Sequence, residues 1–462
     1  MSDLPFGFSS SDPDKDPERK GKDNQGPQDH NQGFGFGFGQ GVPPGGQNPF
    51  AGAGGAGGFD MNQLGQMLSQ LGQVLSQAST SSGPVNYDLA KQLAVQQLGT
   101  SGGTTKPTAQ QASAVADAVR LAELWLDPAT SLPAGARKAV AWSASDWVEG
   151  TLPSWQRLCD PVARQMSGAW VDAMPEEAKQ AAGPLLAMIG QMGGFAFGSQ
   201  LGGSLAQLGS EVLTSTEVGL PLGSEGVAAL LPANVEKFTE GLGRPAHEVM
   251  VFLAAREAAH HRLFAHVPWL RQRLMSTVEE YAKGIKVDTS ALEGLAGQFD
   301  PSHPQALEEM MSSGMLQPQN TPEQQAALVR LETLLALVEG WVDVVVAEAV
   351  GDRLPGADAL RETLRRRRAS GGPAEQTFAT LVGLELRPRR LRAAAGLWRL
   401  MTDKHGITGR DSVWDHPDFI PTSADLDDPL EFAERWGESS LDPIAELKRT
   451  EGEAPEEGSP GS

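Results

Sequence analysis

The stretch VFLAAREAAHHRLFAHVPWL, residues 251–270, decides how the chain is read. Pro245 stands where a helix tolerates proline, in its first turn, and Pro268 bends or ends the run. Inside it, Glu257 and His260 match two positions of the metal-binding pattern HExxH, in which two histidines four apart share one helical face. Arg256 stands where the first histidine of that pattern would be. Residues four apart lie on nearly one face of a helix, whereas neighbours diverge by about 100°. Arg256 and His260 therefore share a face, and His260 and His261 do not. His266 is about 240° around from His260. No second histidine of the run is placed by helix geometry to share a metal with His260. His247 reads as a terminal or surface residue, and His261 and His266 as satisfied or exposed histidines. A guanidinium is always protonated and offers no lone pair, so Arg256 cannot be a ligand. Its plain reading is an ion pair with a carboxylate of a neighbouring helix.

Working outward, the segment LLALVEGWVDVVVAEAV, 334–350, is apolar nearly all round and reads as a buried helix. Glu339 within it needs a partner. Three roles stay open: a metal ligand, the partner of an arginine, or a place on a narrow solvent strip with Glu332 and Asp343. If this helix brings Glu339 toward His260 and Glu257, two carboxylates crowd an apolar site and a cation must stand between them. Arg256 would supply that charge without a metal.

Helical punctuation runs from Asn86 onward, and no alternation of apolar and polar residues is long enough for a sheet. Thr321 and Gln324 have the spacing of a capping box, and Gly351 marks the end of the same helix. Further helices are expected over 357–370, 373–383 and 388–406. No charge falls between Lys179 and Glu211. That length could span a bilayer, yet Gln, Ser and Gly interrupt it throughout. Gly194, Gly198 and Gly202 recur at four-residue spacing, which suits close approach of a neighbouring helix, so a tightly packed internal helix is expected there and no membrane insertion.

The ends differ in composition. Residues 1–82 are rich in Gly, Gln, Ser and Pro, with GFGFGFGQ at 33–40, and are expected to be disordered. Within them Met61, Leu64, Leu68, Leu71 and Leu75 form an apolar stripe over 60–77, either a short docking helix or a marginal helix without a partner. Residues 83–430 are expected to make one large, mainly α-helical domain. The acidic residues from Asp425 onward, and 431–462 as a whole, read as a solvated tail. The net charge of −21 argues against nucleic-acid binding. The runs Arg365–Arg368 and Arg387, Arg389, Arg390 and Arg392 lack interleaved aromatics, and they read as partners of internal carboxylates or as a charged helix face. The single cysteine, Cys159, fits a reducing compartment, and no apolar leader follows MSDLPFGFSS, so a cytoplasmic address is expected. No dinucleotide fingerprint, Walker sequence or nucleophile elbow is present.

Four segments in order, AREAAHHRLFAHVPWL, VEGWVDVVVAEAV, LRRRRASGGPAEQTFATLVGLELRPRRLR and RDSVWDHPDFIPTSADLDDP, resemble the zincin-like hydrolases, often labelled zinc-dependent metalloproteases, of high-GC Gram-positive bacteria. The resemblance spans about Val119 to Pro429. It implies a mainly helical zincin-like domain with an HExxH helix before a VPWL turn and an EGH motif on a later helix. By this resemblance Glu257 matches the catalytic general base, His260 a zinc ligand, and Glu339 the acidic member of the later motif. Zinc is the cofactor implied. Arg256 and Trp341 stand in place of two histidines, so the implied metal site is degenerate. Two functions follow: a metal-dependent hydrolase, or a catalytically silent scaffold that uses the fold to bind a protein or peptide partner.

Overall fold

The computed structural model describes residues 83–172, 183–284, 321–369, 377 and 390–439. The arm 1–82 with its apolar stripe, the helix expected over 373–383 apart from Thr377, and the acidic end from 440 lie outside these residues. The described chain is mainly α-helical. In order it forms α1 (Tyr87–Thr100), α2 (Ala109–Leu126), β1 (Lys138–Ala141), α3 (Ala144–Asp172), α4 (Gly183–Gly209), β2 (Val227–Leu230) and α5 (Pro232–Thr239). There follow α6 (Ala246–His266), α7 (Pro268–Lys283), α8 (Pro322–Val350), α9 (Ala357–Ala369), α10 (Leu391–Asp411), α11 (Ser423–Asp427) and α12 (Pro429–Ser439).

Local chemistry sets the ends of the helices that carry the site. Helix α6 begins after Pro245 and stops at His266, where Pro268 starts α7 at a position that needs no backbone donor. Helix α8 opens on a full capping box: Thr321 accepts from the Gln324 backbone N–H at 3.2 Å, and Gln324 returns the bond to the Thr321 N–H at 3.2 Å. It ends at Gly351, whose φ of 36° other residues rarely adopt. From Leu331 onward most of α8 is buried, and it packs against α2, α6, α7 and α10. Gly340 lets α10 lie against it, because a Cβ there would come within 2.8 Å of Ala394 Cβ and the Ala395 backbone nitrogen.

One face of the charge-free segment packs against the protein, while Phe195 on another face is exposed. Gly194, Gly198 and Gly202 of α4 face Pro84, Asn86 and Ala90, and the Asn86 N–H donates to the Gly194 carbonyl at 3.1 Å. No helix among the described residues is long and apolar enough to cross a membrane. Gly202→Ala would place a Cβ 2.7 Å from the Ala90 carbonyl oxygen and 3.0 Å from Leu93 Cβ. It is expected to destabilise by about 1–3 kcal/mol, the range for overpacking. Gly203, with nothing within 4 Å of a built Cβ, is the control: Gly203→Ala should stabilise by roughly 0.5–1 kcal/mol through helix propensity. Urea unfolding of the two variants reads both signs.

Two expectations need correction. A sheet exists, though a minimal one: β1 and β2 pair in parallel from Lys138↔Val227 to Ala141↔Leu230. Strands of four residues, with β2 buried along most of its length, are too short to show alternation. The acidic stretch from Asp425 is also partly folded. Helices α11 and α12 lie within it, and Phe432 and Ala433 are buried against α10. Apolar residues at helical spacing with Trp436 outweigh the surrounding charge, which faces outward.

Candidate functional site

Helices α6 and α8 meet across the core, and the side chains at their contact are charged. Arg256 and His260 project from one face of α6 toward Glu339 of α8. Arg256 Nη2 donates to Glu339 Oε2 at 2.6 Å, and His260 Nε2 lies 3.1 Å from Oε1. His260 Nδ1 is 2.8 Å from the Arg256 carbonyl. A carbonyl only accepts, so Nδ1 carries a proton there. One carboxylate is thus bound by a guanidinium on one oxygen and an imidazole on the other. All three side chains are largely buried. Of the three roles open to Glu339, the geometry presents the arginine partner; Asp343 is buried against arginines and lines no solvent strip.

A narrow recess lined by Thr214, Glu217, Leu253, Arg256, His260 and Leu364 leads to this cluster, with room for about one water molecule. Arg367 of α9 pairs with Glu217 at 3.3 Å and adds to the cover.

Glu257 lies on the next face of α6 and meets different partners. Its carboxylate is fully buried and accepts from Ser215 Oγ, Thr216 Oγ1 (2.5 Å), the Thr216 and Ala229 backbone N–H groups (3.1 Å each) and the His261 ring (3.3 Å). Five donors fill the lone pairs of a carboxylate, which has about four such sites. Burial alone would raise its pKa, but the hydrogen bond and charge of His261, then the Ser215 and Thr216 hydroxyls, lower it to about 2. The residue that the motif reading places as general base thus ties α6 to β2 and to the 215–216 segment.

Trp341 is two residues beyond Glu339 and projects from the other side of α8. Its Nε1 donates to Asp411 Oδ1 at 2.8 Å, and Asp411 also binds Thr130 Oγ1 (2.7 Å), the Ser131 N–H (2.7 Å) and Arg410 Nε (2.8 Å). A histidine at 341 would meet Asp411, not His260. Sequence reading also missed Arg262, which is buried and reaches Glu123 Oε2 at 2.7 Å and Asp127 Oδ1 at 2.6 Å. The available signal was the four-residue spacing of Glu123, in the last turn of α2, and Asp127, which caps its end. His266 and His247 are exposed.

A catalytic zinc takes three protein ligands and an open position. Here two donors, His260 Nε2 and Glu339 Oε1, point at one place, and a guanidinium holds the second oxygen of Glu339. Among the described residues no three His, Cys, Asp or Glu side chains come together as a metal would require. The described residues do not fit a catalytic zinc.

Comparison with known proteins places the fold. A protein of Chloroflexus aurantiacus, described as a candidate hydrolase with a novel fold, aligns over 76% of this chain and 98% of its own, with a TM-score of 0.54 and 20% identity. At that identity the likeness is one of fold. No protein of curated function matches the chain. The family model for zincin-like metallopeptidases matches residues 85–433, most of the chain, and this protein belongs to that family.

Proposed function

We propose that the chain is a zincin-like protein with a degenerate metal site, in which Arg256 holds Glu339 where its family would place a metal, and that it serves as a binding scaffold. The observation that supports this is the contact of Arg256 Nη2 with Glu339 Oε2 at 2.6 Å. The guanidinium neutralises the carboxylate permanently, whereas a metal would do so only when bound. Two further features agree with it. Glu257 has no lone pair to offer a water, and the recess above His260 is too small for a peptide bond and its neighbours.

Zinc-peptidase chemistry would require Arg256 to leave Glu339 and another ligand to replace it. Metal analysis of protein purified without chelator decides between the two. Substoichiometric zinc, and no peptidase activity that 1,10-phenanthroline removes, is the expected result. One tightly held zinc per chain, with chelator-sensitive hydrolysis, would overturn the proposal.

A further inference from the structure

A second charged cluster lies where α9 and α10 cross over α8. Asp343 is 3% exposed and receives three arginines: Arg365 Nη2 at 2.6 Å and Arg399 Nη2 at 3.3 Å, both on Oδ2, and Arg361 Nε at 3.8 Å from Oδ1. One carboxylate balances one guanidinium. Among the described residues the other nearby acids are outside the cluster: Asp358 is 93% exposed and 3.6 Å from Arg361, and Glu362 pairs with Arg366 at 2.9 Å on the outer face of α9. Arg365 Nε is buried without a hydrogen-bond partner among the described residues. Guanidiniums this close repel one another, and those of Arg361 and Arg365 are largely screened from water, at 24% and 21% exposure.

We propose that Arg361, Arg365 and Arg399, arranged around Asp343, form a binding site for a compact dianion bearing a phosphate group. Against the one buried carboxylate, Asp343, two positive charges are left over, and the exposed Asp358 offsets one of them only through solvent, so a dianion matches the buried charge. The donors arrive from two helices and so can reach different oxygens of a tetrahedral oxyanion, and guanidinium forks suit phosphate oxygens. Arg399, 46% exposed, leaves the cluster open on the solvent side. A long polyanion is a poor occupant, because the net charge of −21 repels it beyond the patch. Nothing in this site depends on the Arg256–Glu339 pair, and either reading can fail alone.

The test is calorimetric titration of the full-length protein with inorganic phosphate, against sodium chloride at equal ionic strength and against acetate. Saturable binding of one phosphate per chain is expected, without a matching response to acetate. Arg399→Gln and Arg361→Gln should each weaken it by about tenfold or more, the worth of a hydrogen bond to a charged group. Asp343→Asn should bind phosphate more tightly, because the internal competitor is neutralised; a purely structural Asp343 would give no such gain. Should Asp343→Asn fail to fold, the two arginine variants decide. Absence of saturable binding, an equal response to acetate, or unchanged affinity in both arginine variants overturns the site.

Discussion

Arg256→Ala is expected to destabilise the protein by about 3–5 kcal/mol, the usual loss when one member of a buried ion pair is removed. Glu339 would keep its His260 contact, but its buried Oε2, 2.6 Å from Arg256 Nη2 in the intact protein, would lose the guanidinium that balances its charge. The second variant separates this cause from lost packing. Arg256→Met combined with Glu339→Gln removes both charges at similar volume, and it should recover most of the stability. Urea unfolding at neutral pH measures all three proteins. An Arg256→Ala variant as stable as the parent would show that the pair contributes nothing, and the scaffold reading of the site would lose its support.

The other large effect lies one face away on the same helix. Glu257→Gln replaces an acceptor by an amide nitrogen that must confront the donors of Ser215, Thr216, Ala229 or His261, leaving buried N–H groups without partners. A loss of roughly 3–5 kcal/mol is expected. The pH dependence carries its own signature. The carboxyl of Glu257 is held at about 2, below its ordinary 4.5, so the folded state binds a proton less readily than the unfolded one. Stability from this group is complete above about pH 4.5 and is lost as pH falls toward 2, a change on the order of 3 kcal/mol. Other acids titrate in the same range, so the informative quantity is the difference between the parent and Glu257→Gln, compared at pH 5 and pH 2.5. The variant should show the shallower decline. Equal slopes would mean that Glu257 keeps an ordinary affinity for protons.

Helix ends were legible in the sequence because their causes are local. Pro245, Pro268, the Thr321–Gln324 box and Gly351 each act within one turn, and the glycine spacing of 194, 198 and 202 marked a close helix contact before its partner was known. Periodicity likewise placed Arg256 and His260 on one face. What each face meets depends on distant chain segments. Ser215 and Thr216 belong to no motif, yet they fill the coordination of Glu257, and Asp411 gathers Trp341 and the Thr130–Ser131 pair from two distant stretches. The EGH comparison set Glu339 and Trp341 side by side in sequence, while a helix turns about 200° between residues two apart and sends them to different neighbours. In the acidic run after Asp425, charge count concealed Phe432 and Ala433, because composition averages over faces that a helix keeps apart.

Helix α6 carries two polar pairs offset by one residue, Arg256 with His260 and Glu257 with His261. Each answers to a different part of the molecule. The first faces a single side chain of α8; the second bonds to backbone amides of β2 and of the segment before it. Exchanges at the first pair can therefore be compensated by a matching change at Glu339, whereas the backbone partners of the second cannot change with it. In a lineage built on this helix, the glutamate of the motif would outlast the chemistry that the motif is named for. Its persistence would then record the architecture of the domain and not its activity.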